Sequence, residues 1–305
     1  MKPEAFDLVK LSVLFVSSCD ISPGSRATYK NALLRFCRWC ESSDVKEPAR
    51  QTILSYKLWL DTHGFSSFTK STYMVVVRRL FSWLEENDLY PDVSKGIRGA
   101  KRYIKSHQKD SLSIKAVQNL LASVDGSSLI GVRDFAIVNL LIRTGVRLKE
   151  ISLATINDIE INENQMRLWV YGKGRGGKDE FVVLTKESLD PIRAYLRCRE
   201  LSNSSEPLFA ALSNRNYGKT MSTFALSKMV KRRLRGAGID SKRISAHSLR
   251  HTFGVLAIKA GASLYDVQLA MRHSTPGTTE IYLGDIEKIK RAESSPEKKV
   301  RDLLR

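Results

Sequence analysis

The chain has 305 residues, with 50 lysines and arginines against 32 aspartates and glutamates, for a formal net charge of +18. That length predicts two domains, each able to bury its own core, and the cation excess points to a polyanionic partner such as nucleic acid, with an anionic membrane surface as the second candidate. No apolar run of about 18 residues exists, which excludes a membrane-spanning helix. Met1-Lys2-Pro3-Glu4 leads into a charged amphipathic segment rather than a signal peptide, so the expected location is the cytoplasm.

Four amphipathic helices are predicted before residue 98. The first covers residues 4 to 17. Pro23 and Gly24 then break the chain, and Ser25 is the predicted cap of the second helix. Tyr29, Leu33, Phe36, Cys37 and Cys40 fall on one stripe of it at helical spacing. Cys37-x-x-Cys40 lacks a second ligand pair, so both thiols read as small core residues rather than a metal or redox site. The third helix starts near Pro48, a good first-turn residue, and carries Ile53, Tyr56 and Leu60. The fourth, from about Thr69 to Glu86, carries Tyr73, Val76, Val77, Leu80, Phe81 and Leu84. The aromatics therefore read as core of a helical bundle. Arg26, Lys30, Lys70, Arg78 and Arg79 lie off the apolar stripes and are candidate phosphate contacts.

The segment from Lys95 to Asp110 reads as a basic linker. It holds Gly96 and Gly99 with Lys95, Arg98, Lys101, Arg102, Lys105 and Lys109, and little apolar periodicity. Lys101 and Arg102 are candidate DNA contacts, since each phosphate neutralised steepens the salt dependence of binding by a log–log slope of about 0.9.

Beyond the linker, Ser113 caps a predicted short helix to Val124, and Arg133 to Arg143 form a second, ended by Gly145. Arg147 and Glu150 follow at the start of another helical turn. Residues 155 to 161, 165 to 171 and 180 to 184 alternate well enough to be strands. Between the last two lies Gly172-Lys173-Gly174-Arg175-Gly176-Gly177-Lys178-Asp179, a hairpin turn. It is not a nucleotide-binding loop, because no Gly-Lys-Ser/Thr opens a helix after it. A helix is predicted over residues 186 to 200, a polar loop from Ser202 to Thr220, and a helix from Met221 to Gly236. Lys231, Arg232, Arg233 and Arg235, with Lys242 and Arg243, form a cationic cluster suited to phosphate contacts and to guanine edges.

Ala246 to Ala260 reads as a helix on which His247, Arg250 and His251 share one face. Three of the chain's 5 histidines fall between residues 247 and 273. On spacing alone, two satisfied histidines beside a surface arginine is the simpler reading. What overturns it is Tyr282, shortly after His273, together with Arg147 far upstream.

Thr144-Gly145-Val146-Arg147-Leu148-Lys149-Glu150, Gly172-Lys173-Gly174, His247-Ser248-Leu249-Arg250-His251, His273-Ser274 and Thr278-Thr279-Glu280-Ile281-Tyr282 come in the order and near the spacing of the tyrosine recombinase (phage integrase) family, which the chain resembles. The resemblance covers most of residues 110 to 285 and, more loosely, 5 to 98. It departs in two places. The hairpin has an extra glycine and Glu180 where a basic residue is usual, so Lys178 competes with Lys173 as the hairpin lysine. Met271-Arg272-His273 stands where the family has Leu-Gly-His.

The resemblance implies a mainly α fold with a small antiparallel β-sheet: a helical core DNA-binding domain (1–98), a basic linker (99–110), a catalytic domain (111–285) and a C-terminal tail (286–305), the two domains closing round a duplex as a C-shaped clamp. No carboxylate–histidine cluster and no Cys/His pair has metal-ligand spacing, so the expected chemistry is phosphoryl transfer without metal, ATP or cofactor. Arg147 and Arg250 would bind the non-bridging oxygens. Tyr282 would be the nucleophile; its phenol, with an ordinary pKa near 10, needs a proton acceptor, assigned to His247. His273 would position a phosphate oxygen, Lys173 would protonate the departing 5′ oxygen, and Glu150 and His251 would support them.

The implied product is a 3′-phosphotyrosine, with strand exchange through a Holliday junction. The implied partners are double-stranded DNA carrying a specific site and a homo-tetramer on two duplexes, monomeric or weakly associated off DNA, with room for an accessory factor or a partner recombinase. The residues from Leu283 to Arg305, ending in Val300, Leu303 and Leu304, are expected to dock on a neighbouring protomer, with packing on their own domain as the alternative. Since the first helix begins almost at residue 4, no arm-binding domain is expected. The divergent motifs favour integration or excision of a mobile element. The alternatives are Xer-like resolution of chromosome or plasmid dimers, DNA relaxation of the type IB topoisomerase kind, and a DNA-binding protein that has lost catalysis.

Overall fold

The computed structural model describes residues 6–99, 110–161, 165–172, 176–199, 203–273 and 296–304. The chain divides into two compact units, Met1–Lys105 and Ser106–Arg305. Lys101 and Arg102 of the linker lie outside the described residues.

Among the described residues the first unit holds four helices, α1 (Leu8–Ser18), α2 (Pro23–Ser42), α3 (Arg50–Thr62) and α4 (Ser67–Glu86). The second helix starts earlier than the sequence suggests. Ser22, not Ser25, is its cap: the Ser22 hydroxyl accepts from the Ser25 amide at 3.3 Å, and Pro23 takes the first helical position, where its missing N–H costs nothing. Ser66 caps α4 in the same way, accepting from Thr69 N at 3.1 Å. The apolar stripes meet in one core. Phe36 lies edge-on to Tyr56 and Phe81, with centroids 4.9 and 6.1 Å apart, a geometry favoured by the ring quadrupoles. Cys37 and Cys40 are buried free thiols, as expected, and burial pushes the Cys40 thiol up to about 12.

The second unit is helical around one small sheet. Ser113 caps α5 (Ile114–Ala122); α6 (Leu129–Thr144) and α7 (Leu148–Leu153) follow. Strands β1 (Ile159–Ile161), β2 (Met166–Val170) and β3 (Glu180–Leu184) pair antiparallel in the order β1-β2-β3, with Leu168 opposite Ile159 on one side and Val182 on the other. Then come α8 (Lys186–Arg197), α9 (Thr223–Gly236), α10 (Ala246–Lys259) and α11 (Leu264–Ala270), and a last helix, α12 (Pro296–Leu303). The fold is thus mainly α with a three-stranded antiparallel sheet, as the sequence leads one to expect. Helix α6 is its axis: Ile137, Leu140 and Leu141 are buried in a core shared with Leu168 and Val182 of the sheet, Ile192 and Tyr195 of α8 and Leu249 of α10. None of the described helices is long and apolar enough to cross a membrane.

Candidate active site

The site is built where α6 ends. Gly145 closes that helix in the left-handed conformation, at φ +60°, and its amide donates to Leu141 O at 3.1 Å. Two constraints require glycine here. A side chain would strain the backbone, and a Cβ would lie 2.6 Å from Phe253 Cδ1. The chain then turns through buried Val146 into Arg147, which is extended and precedes α7. Glu150, at the third position of α7, reaches back: its Oε2 accepts from the Arg147 amide at 2.8 Å and its Oε1 from Arg147 Nη1 at 2.6 Å. One carboxylate therefore caps the helix and aims the guanidinium.

Helix α10 supplies the second arginine. Arg250 and His251 are buried, whereas His247, one turn earlier, is exposed. The third piece is the turn after α11. Met271 is fully buried against Val255 and Val267, which anchors the turn that carries its main-chain oxygen. Met271 O accepts from Arg147 Nη2 at 3.3 Å and from Arg250 Nη2. Arg272 O accepts from Arg147 Nη2 at 2.7 Å, and Gly145 O accepts from Arg250 Nη1. His273 follows, its amide bonded to Gln268 O at 3.1 Å. Burial, and then the charges of Arg250, Arg147, Arg272 and His247, pull its imidazole down to about 3. It is neutral at pH 7 and offers one N–H donor.

Helix α11 and the place of Arg272 in the site go beyond what the sequence motifs indicate. The helix had a signal, since Ser263 and Asp266 form a reciprocal capping box, with the Asp266 carboxylate accepting from Ser263 N at 3.0 Å and Ser263 Oγ from Asp266 N at 3.1 Å. Arg272 had only its departure from the family's glycine. Its φ is +53°, a conformation that costs a non-glycine residue about 1 to 3 kcal/mol. Its side chain is buried and pairs with Glu150 Oε2 at 2.7 Å. Burial pushes the Glu150 carboxyl up, but Arg272, the Arg147 amide and the Arg147 guanidinium together outweigh it and hold it below the usual range.

Tyr282 and Lys173 lie outside the described residues. Lys178, the competing hairpin lysine, is held on Asp158 Oδ2 at 2.5 Å, a carboxylate that also accepts from Thr155 N at 2.6 Å.

Most of the candidate DNA contacts hold internal partners. Asp134 is fully buried and accepts from Arg133 Nη2 at 2.7 Å, Arg232 Nη2 at 3.0 Å and Arg233 Nη2 at 2.7 Å. Lys231 and Arg235 pair with Asp240 at 3.2 Å each, and Arg243 grips Asp110 at 2.7 Å. In the first unit, Arg26 donates to Val16 O and Cys19 O at 2.5 and 2.8 Å, Lys70 pairs with Asp61 at 2.7 Å, and Arg79 donates to Tyr29 Oη at 2.5 Å. Lys30, Arg78 and Lys242 are exposed.

The sequence matches the phage integrase family over residues 110–287 and the N-terminal SAM-like domain of phage integrases over residues 14–87. The chain belongs to that family and is a site-specific tyrosine recombinase. Among characterised relatives, it is 26% identical over 258 residues to tyrosine recombinase XerD of Vibrio cholerae, spanning 84% of each chain. It is 29% identical over 266 residues to XerD of Bifidobacterium longum, spanning 83% of this chain and 84% of that protein. In fold it is similar to XerH recombinase bound to a palindromic difH substrate after cleavage, with a TM-score of 0.74 and 20% identity over 96% of this chain and 85% of that one. It is likewise similar to the Tn1549 transposon integrase bound to circular-intermediate DNA, with a TM-score of 0.68 and 14% identity over 91% and 95%.

Proposed function

We propose that this recombinase cleaves and rejoins duplex DNA at a specific site through a 3′-phosphotyrosine on Tyr282, with no metal, ATP or cofactor. The observation that carries this reading is the convergence of Arg147 and Arg250 on Met271 O. Two permanently charged groups are held in fixed orientation beside a neutral imidazole, an arrangement suited to the developing charge on a phosphorane. Tyr282 Oη attacks phosphorus and gives its proton to His247. The bond from phosphorus to the 5′ oxygen breaks, and Lys173 protonates the departing alkoxide. The N–H of His273 donates to a phosphate oxygen. The new ester keeps the phosphodiester free energy, so a different 5′-hydroxyl can reverse the step.

The same reading has four protomers on two duplexes exchanging strands through a Holliday junction, with the C-terminal tail docking on a neighbour. Val300, Leu303 and Leu304 are exposed on or beside α12, which supports that role, because an unburied apolar end favours a partner surface. The biological role we propose is integration or excision of a mobile element, on the strength of the altered hairpin and the Met271-Arg272-His273 motif. Resolution of chromosome or plasmid dimers is a second reading, supported by the likeness to XerD proteins along 84% of both chains. The test is recombination between two labelled duplexes carrying a candidate site, in EDTA and without nucleotide. Joined products and a trapped junction are expected, with Tyr282→Phe yielding neither. Recovery of active sites from an element's ends or from a dimer-resolution locus separates the two roles.

A further inference from the structure

Arg272 is a third guanidinium in a site whose chemistry needs only two, and it sits at a backbone position that disfavours any side chain. Its φ is +53°, and glycine, the family's usual residue there, would adopt that value without strain. An arginine persists at such a place only if its side chain returns something. That side chain is 4% exposed. Its Nη1 donates to Ala270 O at 2.7 Å and its Nη2 to Glu150 Oε2 at 2.7 Å. Its Nε is buried with no hydrogen-bond partner, so the group is held by Glu150 and the turn rather than dissolved in a polar network.

The ring of contacts is closed. Arg147 donates through its side chain to the Arg272 carbonyl at 2.7 Å, Arg272 donates through its side chain to Glu150, and Glu150 holds both the amide and the guanidinium of Arg147. With glycine at 272, Glu150 would face Arg147 alone, and one carboxylate would neutralise one guanidinium. With arginine, two cations share that carboxylate, so more of the positive potential of Arg147 is left for an approaching phosphate. Glu180 is a second acidic group acting on Arg272.

We propose that Arg272 is a positioning residue for strand cleavage, which ties the turn before His273 to Glu150 and keeps Arg147 both oriented and under-neutralised. This rests on the reading of the site as the one that grips the scissile phosphate. The direct test is single-turnover cleavage of a nicked suicide duplex by the full chain and by Arg272→Gly, Arg272→Met and Arg272→Lys. DNA affinity and folding are followed in parallel. Cleavage by R272G and R272M is expected to fall on the order of 10- to 100-fold, less than the ~100- to 1000-fold typical of losing a direct donor to the developing charge. DNA affinity should hold within about twofold. R272K should recover part of the rate, and added methylguanidinium should speed R272G but not the wild-type chain. R272G, which relieves the backbone strain, carries the test if R272M does not fold. Wild-type cleavage by folded R272G overturns the proposal, as does an equal loss in R272M and R272K with no rescue by methylguanidinium, which would indicate packing alone. Failure of the wild-type chain itself to form a covalent complex would instead remove the underlying reading.

Discussion

Arg147 and Arg250 share one acceptor, the main-chain oxygen of Met271, although one precedes α7 and the other lies within α10. That oxygen links the two guanidiniums, with Arg147 aimed also by Glu150 and Arg272 O and Arg250 by Gly145 O. What anchors the turn that carries it is the Met271 side chain, fully buried against Val255 and Val267.

Met271→Ala should therefore act on chemistry through packing. Truncating a buried methionine costs about 2 to 5 kcal/mol, read as a lower urea midpoint. The cleavage rate of the remaining folded protein should fall more than its affinity for DNA, because both arginines lose their common stop. Equal losses in rate and affinity would contradict this.

Gly145→Ala tests the end of α6. The left-handed φ and the 2.6 Å approach to Phe253 Cδ1 act together, so a loss of about 2 to 3 kcal/mol is expected. Since Gly145 O also receives Arg250, cleavage should drop beyond what instability explains. A thermal midpoint within a degree or so of wild type would mean that Phe253 simply moves aside.

Asp134→Asn addresses the cationic cluster. The carboxylate is fully buried among Arg133, Arg232 and Arg233, and removing its charge strands the buried Arg133. Breaking such a group typically costs about 3 to 5 kcal/mol. Chemical denaturation should show a loss of that size. A loss below about 1 kcal/mol would indicate that Arg133 finds water or another acceptor.

How far the sequence reached differs by element. Periodicity located α1 to α6 and α8 to α10 because each has a continuous apolar face. The three strands were legible from alternation, although β1 is shorter than expected, its first residues forming a 3-10 turn at Ile156–Asp158. Helix α11 is only seven residues long, too short for a periodic stripe, and only its capping box announced it. In the site, the motifs named Arg147, Glu150, Arg250 and His273, and the fold brings these side chains together. Arg272 was illegible for a physical reason: its place depends on a positive φ and on a carboxylate from a distant helix, and neither leaves a local pattern. The ion pairs of Arg232 and Arg233 were hidden in the same way, since a run of cations looks alike whether it faces solvent or a buried aspartate.

Acid should weaken the DNA-free fold for two reasons of the same sign. The folded pKa of Glu150 is depressed, so its contribution is present above the ordinary glutamate value and is lost as pH falls through the folded one. The folded pKa of His273 is also depressed, from 6.5 to about 3. Between those values the unfolded chain takes up a proton that the native state refuses, so stability declines as pH drops. Urea midpoints should fall from about pH 7 to about pH 4, and His273→Asn should flatten part of that slope. A midpoint that is level across the range, or unchanged in slope by the substitution, contradicts the assignment.

The most direct measurement is covalent trapping in EDTA on a nicked duplex carrying the site, followed by peptide mapping of the adduct. A protein–DNA band that persists without divalent metal, a 3′-phosphate ester on the peptide containing Tyr282, and no band with Tyr282→Phe are expected. An adduct on another residue, a band that requires metal, or an undiminished band in the Tyr282→Phe chain would contradict metal-free cleavage by Tyr282.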